Sequence, residues 1–382
     1  MLNDDPRSTA DLLSAADAAF NAGRGPEAAA LYGKVLQHEP RHAISLRRLA
    51  WIHEACGHVP AAIELLRRLI EVLPSDARVQ QDLGLCFLRV GKLDDAIASF
   101  RASTHLDPEY AAAFCNLGLA LEDVGDTAGA LDALQQAHRL DPASGFIAYH
   151  LAAVQTLAGQ LEIPPSVCPP QYLLQLFDGY ADRFDSHLFE KLNYQGPALL
   201  AEIVEGAIAV APKKPWDILD LGCGTGMTAV PFRKAAGRVV GIDISSRMLK
   251  YAATRTLPNG QPIYDELIQA DVIEALQTRP ASADLVLSAD VFIYIGDLRP
   301  VFVAVWGALR AGGLFAFTVE SNKGPQDYCL LPSRRYAHAR SYIHRLAKEF
   351  NFSCAAHREA VLRLGDDGLS LQGEVYLLQR II

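Results

Sequence analysis

The sequence predicts an α-solenoid followed by an α/β domain. Three observations predict it. Prolines, glycines and alanines recur at a fixed interval through the first 160 positions. A β-rich apolar run, 216–221, opens onto Gly222, Gly224 and Gly226. Further apolar runs then end in acids, one after another, before a closing pair of strands.

The bounds fit that class. With 382 residues the chain has room for two or three domains. Half of its residues are hydrophobic, so a sizeable core is expected and global disorder is not. A net charge of −9 argues against a nucleic-acid groove as the main surface. No stretch approaches a membrane span, and the N-terminus has no basic segment before an apolar core. Cys56, Cys86, Cys115, Cys168, Cys223, Cys329 and Cys354 are scattered, without a C-x-x-C pair or zinc-ligand spacing. The expectation is reduced thiols in a cytoplasmic protein, with no metal site.

The repeat comes first along the chain. Pro40, Pro74, Pro108 and Pro142 step by 34, as do Gly23, Gly57, Gly91, Gly125 and Gly159. Ala28, Ala62, Ala96 and Ala130 follow the same step, each with a bulky residue four positions on: Tyr32, Leu66, Phe100 and Leu134. Apolar stripes at i, i+3, i+4 and i+7 make amphipathic helices. Glycine permits the turn, alanine lets two helices approach, and proline ends the second helix. These units resemble the tetratricopeptide repeat. About four and a half of them fill 1–160. Such an array stacks into one core with a concave face. The expected use is to hold a protein or peptide partner, with self-association as a homodimer also open.

"LEIPPSVCPPQ", 161–171, carries two Pro-Pro pairs and reads as a linker. Residues 172–210 then show helical periodicity with Phe177, Tyr180, Phe184 and Phe189, and Pro197 starts a second helix. The polar set Tyr180, Asp182 and Asp185 suggests a lid over the domain that follows, 211–382. Core packing of the aromatic stripe is the alternative.

"WDILDL" reads as a strand, and "MTAVPFRKAA" after the glycines reads as a helix. Strand, glycine turn and helix form a Rossmann-like opening. A Walker loop fails because no Lys follows the glycines. A dinucleotide fingerprint needs glycine at 227, where Met227 stands, which disfavours a nicotinamide-dependent oxidoreductase. "GRVVGID" gives a second strand ending at Asp243. "LIQADV" gives a third, ending at Ala270, Asp271 and Val272. "ADLVLSAD" gives a fourth, with Asp290, and "LRAGGLFAFTVE" a fifth. "HRLAKEFNF" reads as a helix, and "CAAHREAVLRL" and "GEVYLLQRI" as an antiparallel hairpin. The sheet then has seven strands, the last antiparallel.

"DLGCGTG", with the acids downstream in order, resembles motif I of class I S-adenosylmethionine (SAM)-dependent methyltransferases. The resemblance covers about 172–382. The full order of repeats, lid and catalytic domain looks like bacterial methyltransferases that carry tetratricopeptide repeats. The segment "SRRYAHARSY" is similar to an "RYAHS…Y" stretch of that group, with Ala339 where serine is usual. The resemblance implies SAM as cofactor. It places Asp220, Gly222, Gly224 and Gly226 near the methionine moiety. Asp243, with Ile244 beside it, falls on the ribose, and Asp271 and Val272 at the adenine. Asp290 falls near the reacting methyl group, and Tyr180 on the lid.

Methyl transfer needs orientation, and a base where the acceptor is protonated. His338 is the base candidate, because histidine titrates near neutrality. Asp290 is placed to orient an amine acceptor, and Tyr180 and Tyr294 to line the methyl channel. Arg334, Arg335 and Arg340 form a cation cluster suited to a carboxylate or phosphate. The expected activity is methyl transfer to a small-molecule or peptide acceptor. The rival reading is a SAM-binding scaffold without turnover.

Overall fold

The computed structural model describes residues 8–161, 164–207, 214–365 and 368–381. Parts of the expected linker, of the boundary between lid and sheet, and of the final hairpin turn lie outside the described residues. The chain divides into two compact units, Met1–Ala158 and Gly159–Ile382.

The first unit is helical. Among the described residues it contains α1 Thr9–Asn21, α2 Gly25–His38, α3 Ala43–Ala55, α4 Val59–Val72, α5 Ala77–Arg89, α6 Leu93–Leu106, α7 Ala111–Asp123, α8 Thr127–Leu140 and α9 Gly145–Leu157. The periodic residues do what their types dictate. Ala28, Ala62, Ala96 and Ala130 are fully buried, on the second helix of each pair. A Cβ at Gly84 of α5 would lie 2.4 Å from the Phe100 ring of α6. So the small residue of one helix receives the bulky residue of the next. One continuous core runs from Leu12 to Val154.

The second unit opens with α10 Pro170–Tyr180. A 3₁₀ turn, Ala181–Arg183, and a π-helical turn, Ser186–Lys191, follow it. The expected continuous helix is therefore broken at Tyr180. α11 Gly196–Ala207 then follows, with the expected Pro197 in its first turn.

The sheet strands are β1 Trp216–Leu221, β2 Ala236–Asp243, β3 Glu266–Gln269, β4 Ala283–Ser288, β5 Leu309–Ser321, β6 Tyr328–Leu330, β7 Tyr336–His338, β8 Phe352–Leu364 and β9 Ser370–Arg380. Between them lie α12 Ser246–Thr254, α13 Val272–Gln277, α14 Arg299–Ala308 and α15 Arg340–Glu349. Seven strands pair in the order β3-β2-β1-β4-β5-β9-β8, with β9 antiparallel to both neighbours. This is the expected sheet. Two cores cover its faces. From β1 the chain builds outward through β2 and β3, then returns to place β4 and β5 on the other side. The order reverses between β1 and β4, which is where open α/β sheets hold ligands.

Three local expectations are corrected. The segment after the glycine turn is a 3₁₀ helix, Val230–Ala235, because β2 already starts at Ala236. β3 stops at Gln269, and Asp271 caps α13 rather than ending a strand. The hairpin β6–β7 is an addition. It joins β5 where Glu320 and Ser321 pair with Ala337 and His338.

Candidate functional site

A cavity of about 800 Å³ lies over the carboxyl ends of β1, β2 and β4. The glycine turn forms its floor. Gly222 and Gly224 adopt φ of +62° and +52°, a region that a side chain disfavours. A Cβ at Gly222 would also lie 2.3 Å from Val291 Cγ2. At Gly224 the nearest atom to such a Cβ is in Phe184 of the segment 170–192, 3.8 Å away, so the bare backbone there faces the cavity.

Asp243 ends β2 and is nearly buried. Its two oxygens accept from the N–H groups of Gly224 and Ser245, both at 2.8 Å. Burial pushes this carboxyl upward, against those two bonds. Asp243 thus fixes the glycine turn to the end of the next strand. Asp271 accepts from the N–H groups of Ile273 (2.8 Å) and Glu274 (3.3 Å) through Oδ1. Its Oδ2 makes no hydrogen bond among the described residues.

The segment 170–192 borders the cavity and is tied down beside it by three acids. Asp178 accepts from Ser245 Oγ at 2.6 Å. Asp182 takes Arg247 through both oxygens, at 2.7 and 2.8 Å, and Tyr251 Oη at 2.8 Å. Asp185 bonds Thr225 of the glycine turn and Arg255. Tyr180 lines the cavity and bonds His187. Phe177 packs edge-on against Tyr294, with centroids 5.5 Å apart.

The other end of the cavity is built around Asp290, Tyr294, Arg335 and Arg363. Asp290 sits at φ +57°, and its N–H donates to Thr318 Oγ1 at 3.0 Å. Arg363, 3% exposed, bonds Asp290 on one side and Glu320 Oε1 on the other, the latter at 2.7 Å. Burial pushes Glu320 upward despite Arg363 and Arg335 nearby. Burial also pushes the Tyr294 phenol up to about 12, opposed by the same two arginines.

The family model for a methyltransferase domain matches residues 219–317. Models for the tetratricopeptide repeat match 19–83 and 82–145. The chain carries a methyltransferase domain and tetratricopeptide repeats. Among its relatives is a ubiquinone biosynthesis O-methyltransferase of Cupriavidus pinatubonensis, 29% identical over 35% of this chain and 52% of that one. A trans-aconitate 2-methyltransferase of Deinococcus radiodurans is 31% identical over 32% of this chain and 45% of that one. The chain spans between about half and two thirds of the length of the first curated relatives it matches. A magnesium protoporphyrin IX methyltransferase from Synechocystis, solved with SAH, is 16% identical, with a TM-score of 0.43. It covers 55% of this chain and 99% of that one.

The methyltransferase domain's cofactor is SAM, and the residues present fit it. The Gly222–Gly224 floor is a cradle that side chains would fill. Asp243, at the end of β2, and Asp271, at the start of α13, both line the cavity.

Of the expected site residues, Tyr180, Gly222, Gly224, Asp243, Ile244, Asp271, Val272, Asp290, Tyr294 and Arg335 line this one cavity. Five others do not. Asp220 is fully buried behind the turn, bonded by Tyr264 Oη at 2.6 Å, and burial pushes it up to about 7. Gly226 packs under Tyr264, where a Cβ would lie 2.8 Å from the ring. Arg334 is not among the lining residues, and Arg340 binds Glu374 and Glu359 on the outer hairpin.

His338 is the main correction. It is 1% exposed on β7, away from the cavity lining. Its Nε2 donates to the carbonyls of Ile295 and Gly296, at 2.9 and 3.1 Å. Burial pushes its pKa down to about 4. A neutral imidazole with its donor committed to two carbonyls braces the Tyr294 loop and is not among the cavity's lining residues. The histidine that does line the cavity is His187, in the π-helical turn. Arg363, Thr225 and Asp178 were also not anticipated. A buried arginine within the run "AVLRL" was the one available signal, and the bulge between Val361 and Arg363 decides its direction.

Proposed function

We propose that this chain transfers a methyl group from SAM to a small-molecule or peptide acceptor, and that its repeats recruit a partner or the substrate. The carrying observation is the cavity of about 800 Å³ over the sheet's carboxyl ends. It brings the glycine floor, Asp243, Asp271, Asp290 and Tyr294 to the sheet's reversal point. Its volume sits in the upper part of the usual ~300–1,000 Å³ range for ligand sites, which leaves room for a cofactor and a small acceptor.

SAM supplies a methyl group activated by its sulfonium. The residues of the chain supply position. Asp243 holds the glycine turn in place and accepts from the ribose hydroxyls, and Asp271 with Val272 receives the adenine. Asp178, Asp182 and Asp185 hold the lid segment down, which keeps water from the reacting atoms. Tyr294 and Asp290 orient the acceptor. Where the acceptor is protonated, His187 is the cavity-lining histidine suited to take the proton. Trp51 and Leu85 support partner binding by the repeats. They stand one repeat apart on α3 and α5, and stay 59% and 40% exposed. We place this activity in the cytoplasm.

The test incubates the protein with isotope-labelled SAM and a cell extract, then follows label by mass spectrometry. Transfer of label to a small molecule or peptide is the expected result. Tight binding of SAM with no transfer in any extract would return the chain to the scaffold reading.

A further inference from the structure

The charges around the cavity are unevenly paired. Each acid is already engaged by the protein: Asp243 by two backbone N–H groups, Asp271 by the start of α13, Asp290 by Arg363. Arg363 is divided between Asp290 and Glu320. Arg183 is exposed at the edge and lies over the Tyr180 ring, 5.8 Å from its centroid. Arg335 is different. It is half-buried, lines the cavity, and makes no side-chain hydrogen bond or ion pair among the described residues; the nearby Glu320 carboxylate is already bound by Arg363.

Arg335 is also rigidly presented. A tight turn precedes it, with Arg334 at φ +59° and the Leu331 N–H donating to the Arg335 carbonyl at 2.7 Å. The next residues are β7, and His338 of β7 ties this strand to the carbonyls of Ile295 and Gly296. Tyr294, the neighbour of that tie, is held from the far side by the Cys168 N–H, which donates to its carbonyl at 2.9 Å. Arg335 and Tyr294 therefore share one framework at the end away from Asp243 and Asp271. A guanidinium taken partly out of water without an acceptor is costly unless a ligand supplies one. Its planar fork matches carboxylate and phosphate. The same cavity also has apolar lining, including Leu173, Phe177, Val291 and Ile295.

We propose that the acceptor is an organic anion with an apolar body, whose carboxylate or phosphate is held by Arg335 beside Tyr294. This rests on the methyl-transfer reading above and names the substrate class of that same site. It also makes Arg335 the residue that selects the acceptor.

The test keeps the cofactor site filled. The full chain is saturated with S-adenosylhomocysteine (SAH) and titrated with benzoate, phenyl phosphate and neutral benzyl alcohol, followed by ligand-observed NMR. At least one of the anions is expected to bind more tightly than benzyl alcohol, and whichever does so identifies carboxylate or phosphate. Arg335→Met should weaken that anion about tenfold or more, as expected for a lost charge-assisted contact. It should leave SAH and benzyl alcohol within about twofold, on the same arithmetic. Arg335→Lys keeps the charge without the fork and should retain part of the preference. Equal binding of the anions and benzyl alcohol overturns the proposal while leaving methyl transfer intact. So does an Arg335→Met variant that loses SAH and keeps the anion, since Arg335 would then serve the cofactor's own carboxylate. Absence of SAH binding to the parent protein overturns both readings.

Discussion

At the end of the cavity near Asp243, each acid ends or closely follows its own strand, and its partners are backbone N–H groups two or three residues away or on the adjacent turn. At the Tyr294 end the groups come from four separate stretches: Asp290 after β4, Glu320 on β5, Arg335 before β7 and Arg363 on β8. The first end is built from local chain geometry. The second is built from side chains that meet only once the sheet has formed. Local geometry repeats across a fold family, so it suits a common cofactor. Side-chain assembly is free to vary, so it suits an individual acceptor.

The sharpest break in that comparison is Arg363→Met. It leaves Asp290 and Glu320 buried without their cation. Removing one partner of a buried ion pair typically costs about 3–5 kcal/mol. Denaturant unfolding should register a loss of that order. Replacing the whole set, with Arg363→Met, Asp290→Asn and Glu320→Gln together, should recover much of it. A single variant as stable as the parent would show that the trio is not buried in solution.

His338 provides the next effect. Its folded pKa, about 4, lies below the ordinary 6.5. The folded state therefore resists protonation. The neutral imidazole's contribution is complete above pH 6.5 and is lost as pH falls toward 4. The full difference is about 3 kcal/mol. His338→Gln keeps an N–H donor and does not titrate, so the gap between variant and parent stability should change over that window. The rate profile of the parent should show no ionisation of His338 near neutral pH. A neutral-pH ionisation that disappears in His338→Gln would restore the base reading.

Asp243→Ala acts at the local end. Loss of the carboxylate removes the proposed ribose contacts and unfastens Gly224, and SAH affinity should fall about a hundredfold. Asp220→Asn is the internal control. Asp220 is buried behind the turn and already pushed up to about 7. The amide resembles its protonated form, and SAH affinity should stay within about threefold. Calorimetry reads both. Equal losses in the two variants would erase the distinction between a lining acid and a supporting one.

The same contrast explains what the sequence could show. The repeat was legible because the 34-residue period fixes residue size at each contact, as Ala96 and Phe100 demonstrate. The succession of strands was legible from runs that each end at a glycine or an acid. Asp243 and Asp271 could be placed because their neighbours in sequence are their neighbours in space. His338 was misplaced for the opposite reason. An imidazole on a short strand reads as reactive until the carbonyls of Ile295 and Gly296, more than forty residues earlier, are seen to hold it. Asp220 and Gly226 share the glycine motif with Gly222 and Gly224, yet Tyr264 covers them from behind. The motif gives the turn. It does not say which of the turn's atoms face the ligand.

The smallest predicted effect concerns the lid, which joins the two ends. Its acids differ in exposure. The Asp182 side chain is 70% exposed and its partner Arg247 43%, so their bidentate contact is screened by solvent and salt. Asp185 is less exposed and bonds the glycine turn itself through Thr225, as well as Arg255. If the lid is held by these contacts, SAH should leave faster when they are cut, and by unequal amounts. Asp182→Asn should raise the SAH dissociation rate only about two- to threefold, and raising salt should remove the difference from the parent. Asp185→Asn should raise it more, to about tenfold, because it also loosens the turn that carries the cofactor. That larger effect should survive salt. Stopped-flow displacement at low and high salt separates the two. Equal, salt-insensitive changes in both variants would mean that apolar packing of Phe177 and Phe184 holds the lid, with the acids adding nothing to closure.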